Sequence, residues 1–173
     1  RFYTEVAPRV PIRLPKFYYA VNKPPAYSLI LEDLSHYSPG DQVVGMHEDQ
    51  VLATVEELAK LQAVFWNNEA LSKLNWMPYN NGISAGFAEN WPSCVEHFGY
   101  CLDEGGIKIG EKLAGSIDWK NSEIEKRPHT IVHADLREDN IMFGPPGSED
   151  AIIILDWQVT IRNIGAADVA RLM

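Results

Sequence analysis

The stretch His133-Ala-Asp135-Leu-Arg137-Glu-Asp-Asn140 decides the fold class that we predict for this chain. It lies between two short apolar runs, Ile131-Val132 and Ile141-Met-Phe143, which are typical of strands. A carboxylate and a carboxamide five residues apart on one compact loop can point at the same small volume. Phosphoryl transfer uses such a pair, because an aspartate orients and deprotonates the attacking hydroxyl while a neutral oxygen binds a hard cation.

A second carboxylate follows the next apolar run of the chain. Ile152-Ile-Ile-Leu155 predicts a strand, and Asp156 comes directly after it. We expect a carboxylate in this position to be buried, which is costly unless a metal ion or hydrogen bonds receive it. Mg²⁺ bridging the β- and γ-phosphates of ATP would be such a partner, with Asp156 as a further oxygen ligand.

These residues also have a plain structural interpretation. Asp and Asn are common in loops, and an Asp after a strand is often a turn former. His133 alone is more often a hydrogen-bonded structural residue than a ligand. The order of the motif, its hairpin context and the position of Asp156 together favour phosphoryl transfer over a chance match.

The composition excludes several classes of protein. The chain has 173 residues, 46% hydrophobic and 23% charged, as in a globular protein of one domain or of parts of two lobes. The net charge of −9 and the scattered Lys and Arg argue against nucleic acid or a membrane as partner. Cys94 and Cys101 form no ligand cluster, which favours reduced thiols and a cytoplasmic location. No apolar run approaches the ~20 residues of a membrane span.

Hydrophobic periodicity predicts a mixed α and β architecture. Residues 17–21 and 27–31 have the pattern of strands, and residues 48–67 that of an amphipathic helix. The predicted apolar stripe of this helix consists of Val51, Leu52, Val55, Leu58, Ala59, Phe65 and Trp66. Gln62 lies on the same stripe and needs a partner there. Because two strands are followed by helices, we place a lobe boundary near residue 35.

Turn and capping signals predict the remaining elements. Residues 1–9 are typical of the tail of a helix closed by Pro8. Ser93-Cys-Val-Glu96 has the form of a capping box that begins another helix after Pro92. Pro145-Pro-Gly-Ser148 predicts the turn of a hairpin before the Ile152 strand. Both ends of the chain fall inside predicted helices, so we expect a fragment of a longer protein.

The loop and the strand end resemble the catalytic loop and metal-binding strand of aminoglycoside phosphotransferases, closest to their ecdysteroid-kinase-like and choline-kinase-like branch. Supporting similarity comes from the hinge-like Leu29-Ile-Leu-Glu-Asp-Leu-Ser35, the helix containing Leu58–Trp66, and Gly165-Ala-Ala-Asp168. The resemblance runs in order from about Phe2 to Met173. It implies an incomplete protein-kinase-like two-lobe fold of the α+β class. Residues 1–34 would be the remnant of the nucleotide-binding small lobe with the hinge, and residues 35–173 a partial helical lobe.

The resemblance also implies a role for each matching residue. Asp135 would be the catalytic base, and Asn140 and Asp156 the Mg²⁺ ligands. The carbonyl of Glu32 and the amide of Leu34 would contact the adenine of ATP. Arg137 would lie near the γ-phosphate, although a solvated loop arginine explains it equally well. Asp168 would accept backbone hydrogen bonds from the catalytic loop, with a helix-cap role as the alternative.

Two departures from the family pattern accompany the resemblance. Gln62 stands where the related helix usually has histidine, which indicates a structural rather than an acid–base role. The phosphate-covering loop, the strand lysine and its glutamate partner would lie before Arg1, with Glu5 as a weak candidate for that glutamate.

The expected function is therefore transfer of the ATP γ-phosphoryl group to a hydroxyl of a small molecule, with ATP and Mg²⁺ as cofactors. The sequence identifies neither the acceptor nor the oligomeric state. A truncated or non-catalytic kinase-like binding module is the first alternative. The second is a metal-dependent hydrolase with His133 and Asp135 as ligands, although the histidines at 36, 47, 97 and 129 form no pair at helical ligand spacing.

Overall fold

A computed structural model describes residues 1–79, 86–145, 148 and 151–172 of the chain. The chain divides into two compact units. The first unit consists of Arg1–Met77 with His129–Met173, and the second of Pro78–Pro128. The lobe boundary near residue 35 lies inside the first unit, and the division into lobes stays a prediction.

The first unit begins with two helical turns and a hairpin. Phe2–Val6 is a π-helical turn and Ala7–Arg9 a 3₁₀ turn, so the predicted helix tail is present but wound unevenly around Pro8. Strands β1 (Phe17–Lys23) and β2 (Ala26–Leu31) pair antiparallel, as predicted.

Helix α1 (Glu48–Phe65) confirms the predicted amphipathic helix. Its first turn is capped reciprocally by His47 and Gln50, a signal that the sequence analysis missed. The buried face differs from the predicted stripe, because Leu52 and Trp66 are exposed. The buried residues are Thr54, Leu58, Leu61, Gln62 and Phe65. A short helix, α2 (Glu69–Ser72), follows.

Two small antiparallel sheets carry the motif residues. The first has the order β3-β5-β6, formed by Ser38–Pro39, Ile141–Phe143 and Ile152–Ile154. The second pairs β4 (Thr130–Val132) with β7 (Ile161–Asn163). Helix α6 (Ala166–Leu172) comes after β7. The strands at 130, 141 and 152 were predicted, whereas β3 and β7 were not.

The turn between β5 and β6 is described only in part. Gly144 N donates to Ala151 O at 2.9 Å, and Ser148 N donates to Pro145 O at 3.0 Å. Pro146 and Gly147 of the predicted turn lie outside the described residues.

One hydrophobic core joins these elements within the first unit. It combines the N-terminal turns, α1, α2, both sheets and α6. Its fully buried members include Phe65, Leu58, Ile131, Leu136, Ile141, Ile154 and Met77. Leu136, in the middle of the predicted catalytic loop, therefore belongs to the core, which fixes this part of the loop.

The second unit is helical in its described part. It contains α3 (Phe87–Phe98), a 3₁₀ turn Gly99–Cys101, α4 (Glu104–Ala114) and α5 (Ile117–Glu125). The predicted helix start at Ser93 is wrong, because α3 begins at Phe87 and Pro92 lies inside it. The φ angle imposed by proline suits a helix, but Pro92 lies inside α3, where it removes the hydrogen bond of its missing N–H and its ring crowds the carbonyl of Ala88 one turn earlier. The N-cap of α4 is Asp103, whose side chain accepts a bond from Gly106 N at 2.7 Å.

These helices and small antiparallel sheets confirm the predicted α+β class. Among the described residues, no helix is both long and apolar enough to cross a membrane.

Candidate active site

The predicted catalytic loop connects β4 to β5 within the first unit. It leaves β4 through Ala134, whose φ of 67° is left-handed and reverses the chain. The 3₁₀ turn Glu138–Asn140 then leads into β5. Gly40, next to β3, packs so closely on this turn that an added Cβ would lie 2.3 Å from the carbonyl oxygen of Glu138. Close backbone packing of Gly40 therefore holds the second half of the loop.

Asp168 on α6 anchors the start of the loop. Its Oδ2 accepts a hydrogen bond from His133 N at 2.8 Å, and its Oδ1 accepts one from Ala134 N at 2.9 Å. The residue is fully buried. Burial raises the pKa of Asp168, and the backbone N–H donors act in the opposite direction. These bonds are the ones that the family resemblance predicted.

Gln62 supports the same anchor from α1. Its Nε2 donates to Gly165 O at 3.2 Å and lies 3.5 Å from Asp168 Oδ2. Gln62 also accepts a bond from the Thr130 hydroxyl through its backbone carbonyl at 2.7 Å. The polar residue on the apolar stripe thus has its partners, as a structural role requires.

His133 is buried and both ring nitrogens have partners. Nε2 lies 2.6 Å from Leu155 O, and Nδ1 accepts a bond from Asp135 N at 3.3 Å. Since a carbonyl only accepts and a backbone N–H only donates, the ring is neutral with its proton on Nε2. Its edge packs on Trp157, with ring centroids 4.6 Å apart. His133 is therefore a structural residue that ties the loop to the end of β6.

Asp135 and Asn140 lie side by side, as their spacing predicted. Asn140 Nδ2 donates to Asp135 O at 2.8 Å and lies 3.5 Å from Asp135 Oδ2. Asn140 is buried, whereas the Asp135 side chain is one-third exposed. The loop thus presents one accessible carboxylate beside one buried carboxamide.

Asp156 lies at the same end of the β5–β6 hairpin as Asn140. Ile141 pairs with Ile154, and Leu155 N extends this ladder by donating to Asn140 O at 2.8 Å. Asp156 then adopts a left-handed conformation, with φ 56° and ψ 57°. The expectation that its carboxylate is buried is wrong, because this turn leaves the residue exposed, and its Oδ2 accepts a bond from Gln158 at 3.0 Å.

Arg137 contacts Gln42 and Asp139. Its Nη1 donates to Gln42 Oε1 at 3.3 Å and lies 3.6 Å from Asp139 Oδ2. Asp139 Oδ1 accepts a further bond from Gln42 N at 3.2 Å. The structure therefore joins Arg137 to the segment after β3 and not to the predicted base.

The predicted adenine-contacting residues follow β2. The carboxylate of Glu32 accepts bonds from Arg13 Nη2 at 2.6 Å and from Lys16 N at 2.9 Å. The Arg13 hydrogen bond, with that of Lys16, lowers the pKa of Glu32. Leu34 is buried, and its carbonyl accepts a bond from Tyr37 N at 2.8 Å. These hydrogen bonds and the burial of Leu34 thus fix the backbone of this segment. Its contacts with the nucleotide stay a prediction.

Glu5 has a structural partner, since its Oε2 accepts a bond from Trp76 Nε1 at 2.7 Å. Its assignment as the partner of an upstream lysine stays a prediction.

Two residues near the motif were missed from the sequence. Arg171 Nη1 lies 3.4 Å from Asp135 Oδ1. Tyr3 lies close enough to Asp156 that burial, followed by the charge of that carboxylate, raises the pKa of Tyr3 to about 12. Both pairs are far apart in the chain, and no local pattern indicates that Tyr3 lies near Asp156. The three-residue spacing of Arg171 from Asp168 was the available signal, because it places both on one helix face.

The model of the ecdysteroid kinase-like family matches residues 2–173. The chain belongs to this family. No curated protein matches the chain significantly. Membership of the ecdysteroid kinase-like family confirms the resemblance drawn from the catalytic loop, and with it the kinase-like α+β fold. It also places the chain among kinase-like phosphotransferases as a class.

The side-chain oxygens of Asn140 and Asp156 are suitable ligands for Mg²⁺. The described residues contain no group of three or more His, Cys, Asp or Glu that could hold a metal by themselves. A carboxamide at Asn140 and an exposed carboxylate at Asp156 offer oxygen ligands at one hairpin end. Mg²⁺ prefers this number and type of protein ligands and completes its shell with water and substrate phosphates.

Proposed function

We propose that the ecdysteroid kinase-like chain carries the catalytic loop of an ATP-dependent small-molecule kinase. The reaction is transfer of the γ-phosphoryl group of ATP to a hydroxyl of a small molecule. ATP supplies the phosphoryl group, and Mg²⁺ neutralises charge on its phosphates. The observation that carries the proposal is the arrangement of Asp135 and Asn140 on a loop anchored by a buried aspartate, with Asp156 at the adjacent end of the β5–β6 hairpin.

Asp135 is the base in this proposal. Its carboxylate is accessible, unlike the buried Asp168, so an acceptor hydroxyl can reach it. The carboxylate orients the hydroxyl oxygen toward the γ-phosphorus and accepts the hydroxyl proton as the new P–O bond forms, while the bond from phosphorus to the β–γ bridging oxygen breaks and ADP leaves. The bond from Asn140 to the Asp135 carbonyl keeps the backbone of the base in place.

Asn140 and Asp156 are the Mg²⁺ ligands in this proposal. Because the amide nitrogen of Asn140 binds Asp135 O, its Oδ1 is the atom that would face a cation. The exposed position of Asp156 suits a ligand that must meet an incoming metal–nucleotide complex. Glu32 and Leu34 would contact adenine through their backbones, and Arg137 would reach the γ-phosphate only by leaving Gln42 and Asp139.

The test uses the natural polypeptide that contains this sequence. Transfer of label from γ-³²P-ATP would be measured with a sterol diol, a sugar, choline and an aminoglycoside as acceptors, together with hydrolysis of ATP by water. We expect Asp135→Asn to lower turnover about a hundredfold or more while ATP binding persists. Asp156→Asn is expected to remove Mg²⁺-dependent ATP binding in titration calorimetry. Asp118→Asn, an exposed carboxylate of α5, is the control.

The outcomes separate the alternatives. Wild-type turnover in Asp135→Asn would reject the proposal. Mg²⁺-ATP binding without any transfer or hydrolysis would identify a non-catalytic kinase-like module. The hydrolase alternative is disfavoured by His133, because both of its nitrogens already have partners inside the fold.

A further inference from the structure

The carboxylate of Asp135 has a cation beside it that the motif does not contain. Arg171 Nη1 lies 3.4 Å from Asp135 Oδ1, while Asn140 Nδ2 lies 3.5 Å from Oδ2. Each carboxylate oxygen therefore has a different neighbour. The Arg171 and Asp135 side chains are 39% and 33% exposed, so both stay open to solvent and to small molecules.

Arg171 reaches the loop because it lies on the face of α6 that contacts the loop through Asp168. Asp168 and Arg171 are three residues apart and therefore lie on one face of the helix. Asp168 binds the N–H groups of His133 and Ala134, and the next loop residue is Asp135. The same helix face thus fixes the start of the loop and supplies a positive charge to the proposed base.

The other arginine of the site has different partners. Arg137 is held by Gln42 and Asp139, at 3.3 Å and 3.6 Å. Within the described part of the chain, the ion pair of Asp135 is with Arg171. The arginine that pairs with the proposed base therefore comes from α6 and not from the loop itself.

We infer that Arg171 is a positioning residue, which holds the Asp135 carboxylate in the orientation required by the acceptor hydroxyl. The inference rests on the proposed kinase function. An exposed ion pair of this kind contributes little to stability, so its main effect is on the direction of the carboxylate. A charged contact at Oδ1 restricts rotation of the group, and Oδ2, which has only the long 3.5 Å contact with Asn140 Nδ2, keeps a lone pair for the hydroxyl. Small misplacement of a reacting group is enough to lower a rate strongly.

The test compares Arg171→Gln and Arg171→Lys with wild type in the polypeptide and assays described above. We expect Arg171→Gln to lower kcat about tenfold or more, with the KM for ATP unchanged and thermal unfolding within a few degrees of wild type. Arg171→Lys is expected to recover a large part of kcat, because it keeps the charge. Arg127→Gln, an exposed arginine after α5, is the matched control.

A double-mutant cycle shows whether Arg171 acts through Asp135. In the Asp135→Asn background, Arg171→Gln is expected to cause no further loss of residual turnover. Wild-type kcat in Arg171→Gln, an equal loss in both backgrounds, or no recovery with lysine would each overturn the inference. In those cases a low rate in Asp135→Asn alone would still support the proposed function. If neither transfer nor hydrolysis occurs in wild type, both fail.

Discussion

Several single residues of this chain have structural roles that depend on hydrogen bonds to residues far away in the sequence. The structural role of Gln62 was predictable because a polar residue on an apolar face needs a partner, and that of Asp168 was predicted from the family resemblance, with a helix cap as the alternative. The burial of Asp156 was predicted wrongly, since the left-handed turn after β6 cannot be read from four aliphatic neighbours. The contact of Arg171 with Asp135 spans 36 residues and depends on how α6 packs.

Replacement of Asp168 by alanine tests the anchor of the loop. The variant leaves the N–H groups of His133 and Ala134 without their acceptor in a buried position. We expect the free energy of unfolding to fall by about 3 kcal/mol. Urea denaturation at pH 7 measures this, with Asp118→Ala as the exposed control. A loss below about 0.5 kcal/mol would contradict the anchoring role.

The ion pair of Glu32 predicts a pH dependence. Its pKa is lowered in the folded state, chiefly by the hydrogen bond from Arg13. The stabilisation is therefore present above the ordinary pKa of 4.5 and is lost as the pH falls through the lowered value. We expect Glu32→Gln to cost less than about 1 kcal/mol at pH 7 and less at pH 3 than at pH 7. Urea unfolding at both pH values checks this, with Glu111→Gln as control. A cost that is the same at pH 3 and pH 7 would contradict it.

Secondary-structure elements were predicted well where the hydrophobic pattern extends over many residues. Helix α1 and the strand pair β1–β2 fall close to the expected residues. Strands β3 and β7 were missed, because they lack the run of consecutive apolar residues that indicated the short strands β4, β5 and β6. Helix α3 was given the wrong start, since Pro92 followed by Ser93 has the pattern of a helix beginning while the helix actually continues through it.

The close approach of α3 and α4 predicts that a small residue is required where the two helices meet. A Cβ added to Gly110 on α4 would lie 1.9 Å from the indole ring of Trp91 on α3. We expect Gly110→Ala to destabilise the second unit by about 1–3 kcal/mol. Gly106→Ala in the first turn of the same helix meets only ordinary contacts at 3.4 Å or more, so it is expected to be neutral or stabilising. Hydrogen exchange of residues 87–125 measures both, and equal effects would contradict the packing argument.

At the level of the whole molecule, the fold class was predictable from the sequence, whereas the division of the chain into two units was not. The α+β class and the kinase-like family were predictable from one loop and one strand end, because catalytic motifs fix local geometry. The division into units was not, since residues 78–128 leave the first unit and the chain returns at His129. Apolar periodicity shows which face of an element is buried, but not which other element covers it.

The anchor of the catalytic loop also has a consequence for biosynthesis. His133 and Ala134 are synthesised well before their acceptor Asp168 and before β7, the partner of β4. A ribosome adding about 5–20 residues per second needs roughly two to seven seconds to cover that interval. During this time the nascent loop has neither its strand partner nor its carboxylate. Assembly of the loop thus waits for a segment that is translated later, and a stall between residues 134 and 168 would leave the loop without its anchor.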